Sequence, residues 1–128
     1  MTGGWDGTSA RDTWLWKDDT WMLLDSTSTP PRLHGSMVFD AVRQELVLFG
    51  GFGESGRENS VWTASAGSWS ALELRGVLPE IRAEHDVIYH PQHGVMLFGG
   101  IVGDGMALAD RVKSNELWSL NGAVWTRH

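Results

Sequence analysis

Residues 46–51 read LVLFGG and residues 95–100 read VMLFGG. Four apolar residues followed by two glycines describe a buried strand that stops at a turn which glycine enters without strain. The glycine pair also opens the chain, as Gly3-Gly4. The pairs Gly3-Gly4, Gly50-Gly51 and Gly99-Gly100 begin 47 and 49 residues apart. Each is followed by two tryptophans seven residues apart: Trp14 and Trp21, Trp62 and Trp69, Trp118 and Trp125. Arg32 and Arg82 are 50 residues apart, as are Phe39 and Tyr89. Several residue types share one register, so the chain repeats a unit of about 50 residues.

The order within the unit is a proline and an arginine, an apolar strand, LFGG, a polar loop and W-x6-W. In this it resembles bacterial-type kelch repeats. The resemblance implies an all-β fold of four-stranded antiparallel blades, as in a β-propeller. It covers the chain as one domain, 1–128: a half blade at 3–24 and full blades at 31–74 and 79–128. The Gly-His pair common before the first strand is reversed here as His34-Gly35 and becomes Glu84-His85 in the next copy. The usual Tyr between the aromatic landmarks is replaced by Trp16, Ala64 and Leu120.

A whole propeller has about 4–8 blades, and repeat proteins need about three units to bury a continuous core. Two and a half units therefore predict a partial propeller completed by oligomerisation, with a homodimer as the first expectation. Strands 36–40, 45–49, 86–90 and 94–98 are apolar at nearly every position, which predicts cover on both faces. The six tryptophans on the repeat are expected in the core, because large aromatics pack blade on blade. Almost no helix is expected, beyond a possible single turn in MALADRV at 106–112.

The net charge is −6, the pI is about 5.2, and there is no run of Lys or Arg. That balance argues against nucleic acid and against an anionic membrane surface. No cysteine is present, so disulfides, zinc-thiolate sites and thiol nucleophiles are excluded. The first residues, MTGGWDGTSA, lack a basic segment with an apolar core, so a cytoplasmic location is expected.

Chemistry-bearing motifs are few. There is no G-x-S-x-G, Walker loop or HExxH, so no catalytic residues are assigned and no cofactor is expected. Residues 51–56 match GxGxxG by letters but open no helix. His85, His90 and His93 beside Asp86 lack the spacing of a metal site, and Asp6-Gly7 and Asp104-Gly105 are only fragments of calcium loops.

Two groups remain as candidate ligand-binding residues. One is the loop 102–113, seven or eight residues longer than its counterparts, with Asp104, Asp110 and Arg111. Its other reading is a tolerated insertion, since longer loops cost little free energy. The other group is Arg32 and Arg82, whose guanidinium groups suit carboxylates near a channel mouth. Their recurrence favours a structural role between blades. The expected function is a non-enzymatic protein-interaction or scaffold module that self-assembles. The alternative is a protein that binds carbohydrate or another small ligand, or an enzyme, with its site at the channel mouth; exposed Trp5 is a candidate sugar platform.

Overall fold

The computed structural model describes residues 1–5, 7–8, 10–104 and 111–128. Among them there is no helix, and fifteen strands are formed. The all-β reading is therefore met, and the strands fall into the predicted groups.

The N-terminal pair is β1 (Thr13–Lys17) and β2 (Thr20–Asp25), joined by a tight turn at Asp18 and Asp19, both with positive φ. The middle blade is an antiparallel meander of β3 (Ser36–Asp40), β4 (Glu45–Phe49), β7 (Val61–Ser65) and β8 (Ser68–Ala71). The last blade repeats that order with β10 (Asp86–His90), β11 (Gly94–Phe98), β14 (Leu117–Asn121) and β15 (Val124–Arg127). Both are four-stranded blades of the propeller kind. The short strands β5 (Phe52–Gly53) and β6 (Gly56–Arg57) make a hairpin of the GxGxxG-like loop.

The sequence did not reveal one small sheet. β9 (Arg82–Ala83), β12 (Ile101–Val102) and β13 (Val112–Lys113) pair in the order β13-β12-β9. The two ends of the long loop thus zip together, and residues 105–110 between them, including Asp110 and most of MALADRV, lie outside the described residues.

Register decides the packing. Residues directly opposite across an antiparallel pair share a face. In the middle blade one face carries Val38, Val47, Phe49 and Val61. The last blade meets it with Val87, Val95, Leu97, Trp118, Leu120 and Trp125, and together they form the main core. The other face of the middle blade carries Met37, Leu46, Leu48, Ala64 and Trp69 and turns toward β1 and β2. There the contact is partly polar: Thr13 accepts the Trp69 indole N–H at 2.8 Å and is bonded to Thr29 and Thr2.

The expectation of cover on both faces holds for β4, whose Val47, Leu48 and Phe49 are all buried. It fails for the last blade. Asp86, Ile88 and Phe98 face outward, because among the described residues no sheet stacks on that side. The tryptophan expectation needs the same correction. Trp69, Trp118 and Trp125 are buried, Trp14 and Trp62 are half-buried, and Trp21 is exposed, since among the described residues nothing packs on the outer side of β1 and β2.

Candidate functional site

The middle and last blades are locked together where the glycine pair Gly50-Gly51 meets β9. Gly51 N–H donates to the Arg82 carbonyl at 2.9 Å, and Arg82 N–H donates to the Glu58 carbonyl at 3.0 Å. A Cβ at Gly50 would stand 2.8 Å from that same Arg82 carbonyl, which is why the position admits only glycine.

Arg82 is wholly buried. Its Nη2 donates to Glu116 Oε2 at 2.6 Å, its Nη1 to the Gly99 carbonyl at 2.9 Å and its Nε to the Glu80 carbonyl at 3.0 Å. The guanidinium ties its own blade together and presents no donor to a ligand. Its counterpart Arg32 is half-buried, donating to Ser60 Oγ at 2.9 Å and to the Pro31 carbonyl, with Glu58 at 3.7 Å. Burial lowers its pKa, while Glu58 opposes that shift. Its Nε is buried without a partner. Arg32 borders two cavities, of about 290 and 530 Å³, so of the two arginines it alone touches open space.

Asp104 and Arg111 are both exposed, at the two ends of the long loop. Asp104 borders a groove of about 590 Å³ together with Trp5, His34, Phe52 and Glu54. Trp5 is 67% exposed there. The Arg57 guanidinium lies 5.0 Å from the centroid of the Phe52 ring, a cation–π contact. The groove thus joins the GxGxxG-like hairpin to the long loop, which spacing alone could not reveal. Asp6 and Gly105, from the two calcium-like fragments, lie outside the described residues.

The histidines separate. His85 is buried, its Nε2 bonded to the Phe49 carbonyl at 3.1 Å. Burial pushes its pKa down to about 4, against the Phe49 hydrogen bond. His90 and His93 stack at 4.7 Å between centroids, far along the sheet. Among the described residues no group of three or more His, Asp or Glu side chains is placed to hold a metal ion.

Apolar surface lies open at both ends of the blade stack. The outward face of the last blade carries Ile88, Met96, Phe98 and Leu117. In the repeat register these match Val38, Val47, Phe49 and Val61, the buried face of the middle blade. Phe49 is 0% exposed and Phe98 is 56% exposed. At the other end β1 and β2 turn Trp14, Trp16, Trp21 and Leu23 outward. Trp21 matches Trp125, yet it is 51% exposed against 4%.

No family model matches the chain. The dynein alpha chain of the flagellar outer arm of Chlamydomonas reinhardtii is 33% identical over 117 residues, or 89% of this chain. The chain spans 2% of the length of that protein. Among solved structures, YjhT superposes with a TM-score of 0.74 at 18% identity, over 98% of this chain and 49% of that one. The fold is that of β-propeller blades.

Proposed function

We propose that the chain is a non-enzymatic interaction and scaffold module, a set of kelch-type propeller blades that assembles with a second copy of itself. The observation that carries the reading is the pairing left open at its two ends. Inside the chain, Phe49 of one blade packs on Trp125 of the next, with ring centroids 5.0 Å apart. The repeat register makes Phe98 the counterpart of Phe49 and Trp21 the counterpart of Trp125, and both are exposed. The outward face of one copy therefore has the same side-chain pattern as the face that Trp21 would require. Such a head-to-tail contact closes into a ring where the rotation between copies allows it and otherwise leaves the assembly open or irregular, and two copies supply five blade-equivalents.

Light scattering after size exclusion, across a dilution series, tests this. The expected result is a dimer that Phe98→Asp converts to a folded monomer, because Phe98 is exposed within one chain. A wild-type protein that stays monomeric at every concentration overturns the reading.

A second reading, a protein that binds a sugar or another small ligand, is supported by the groove of Trp5, Phe52, Glu54 and Asp104. An exposed indole beside carboxylates offers a stacking face and hydrogen-bond acceptors. Quenching of tryptophan fluorescence by a panel of monosaccharides, lost in Trp5→Ala, would favour it.

A further inference from the structure

We propose that the middle blade holds a site for a small organic carboxylate, in the place that the Glu116 side chain fills in the last blade. The site lies between the β2–β3 connection and the loop before β7. Its two donors, Arg32 and Trp62, belong neither to the head-to-tail faces nor to the Trp5 groove.

In the last blade Arg82 and Trp118 share one acceptor. Glu116 Oε2 takes an N–H from Arg82 Nη2 at 2.6 Å and the Trp118 indole N–H at 3.2 Å. The repeat register makes Arg32, Ser60 and Trp62 the counterparts of Arg82, Glu116 and Trp118. A serine hydroxyl stands closer to the backbone than a glutamate carboxylate does. It reaches Arg32 Nη2, at 2.9 Å, and goes no further. Trp62 Nε1 and Arg32 Nε are both buried, and among the described residues neither has an acceptor. Each such buried donor carries a desolvation penalty, so an acceptor that meets both is favoured.

Arg32 and Trp62 also wall one cleft, of about 530 Å³, together with Pro30, Pro31, Glu58 and Trp69. The Arg32 side chain is only 10% exposed, so the charge is held in the wall. A carboxylate offers two oxygens with lone pairs for both donors, and bonds to a charged group are about twice as strong as neutral ones. The prolines and indole rings give an apolar wall for the body of the ligand. Two carboxylates of the chain border the same cleft. Glu54 is paired with Arg11. Glu58 Oε2 lies 3.7 Å from Arg32 Nη2, beyond hydrogen-bond reach, and gives neither orphan N–H an acceptor. Its charge opposes that of the ligand, which makes Glu58 a competitor and not a part of the site.

Benzoate serves as the probe, titrated at constant ionic strength into the nitrogen-15-labelled 128-residue protein while the indole N–H resonances are followed by NMR. The Trp62 resonance, assigned by its loss in Trp62→Phe, should shift and saturate. Benzamide, of the same shape but neutral, should bind about tenfold more weakly or worse. Ser60→Glu puts the chain's own carboxylate between Arg32 and Trp62 and should weaken benzoate by about tenfold or more. Glu58→Gln removes the competing charge and should tighten it by about threefold. Absence of a saturable shift at Trp62, equal affinity for benzamide, undiminished binding in Ser60→Glu or no tightening in Glu58→Gln overturns the proposal. The comparison of benzoate with benzamide uses the unaltered protein, so it decides the matter whether or not a variant folds.

Discussion

Arg82 and Glu116 form an ion pair of 2.6 Å in which the arginine has no solvent exposure at all. Glu116 also accepts the Trp118 indole N–H at 3.2 Å and meets Arg127 at 3.2 Å. One carboxylate thus joins β9 of the small sheet to β14 and β15 of the last blade. Removing one partner of a buried pair leaves an uncompensated charge, which costs about 3–5 kcal/mol. Glu116→Gln should therefore destabilise by less than Glu116→Ala, since the amide oxygen still accepts from Arg82. Urea unfolding of the two variants checks the order. Hydrogen bonding from Arg82 holds the Glu116 carboxyl below its usual pKa, against desolvation. Its contribution is present above the unfolded carboxylate range and is lost as pH falls through the lower folded value.

His85 should make stability depend on mildly acidic pH. Its folded pKa of about 4 lies below the ordinary histidine value of 6.5, so the unfolded chain takes up a proton first. Stability is full above about pH 6.5 and declines toward pH 4, by up to about 3 kcal/mol. The denaturation midpoint measured from pH 7.5 to 4.5 should fall in wild type. It should fall less in His85→Gln, which keeps a donor for the Phe49 carbonyl without titrating. Equal slopes would refute the assignment.

Ser60 stands two residues before Trp62, where Glu116 precedes Trp118 and Asp12 precedes Trp14. Asp12 and Glu116 each accept an indole N–H. The Ser60 hydroxyl instead accepts from Arg32, and Trp62 Nε1 is buried without a partner. Ser60→Glu should supply a carboxylate to both Arg32 and Trp62, raising stability by about 1 kcal/mol. Thermal unfolding of Ser60→Glu beside Ser60→Ala tests this; no gain would mean that the neighbouring Glu58 cancels the benefit.

Gly4 and Gly51 hold the same place in the repeat and should respond differently to alanine. Both have positive φ, 126° and 87°. A Cβ at Gly51 would lie 2.7 Å from Gly35 N and from the Leu33 carbonyl, whereas at Gly4 nothing lies within 4 Å. Gly51→Ala is expected to cost at least about 2 kcal/mol, with the clash added to backbone strain. Gly4→Ala carries the strain alone, at about 1 kcal/mol. Chemical denaturation of the pair settles the comparison.

The sequence alone determined the local layer of this protein. The LFGG runs and paired tryptophans placed the strands of both full blades, because a strand's face is read two residues at a time and glycine pairs mark its end. Arg32 and Arg82 were legible as a recurring pair, yet only the tertiary structure separated them. Arg82 is sealed by Glu116 and three further acceptors, while Arg32 meets Ser60 and opens onto cavities. The small sheet that closes the long loop was invisible, since two-residue strands carry no periodicity. So was the groove of Trp5, Phe52 and Asp104, whose members lie up to 99 residues apart in sequence. The apolar runs at 46–49 and 95–98 look alike as letters, and both invite burial. Whether Phe49 or Phe98 is covered depends on whether a sheet stands beside it, and that is a property of stacking that no single strand encodes.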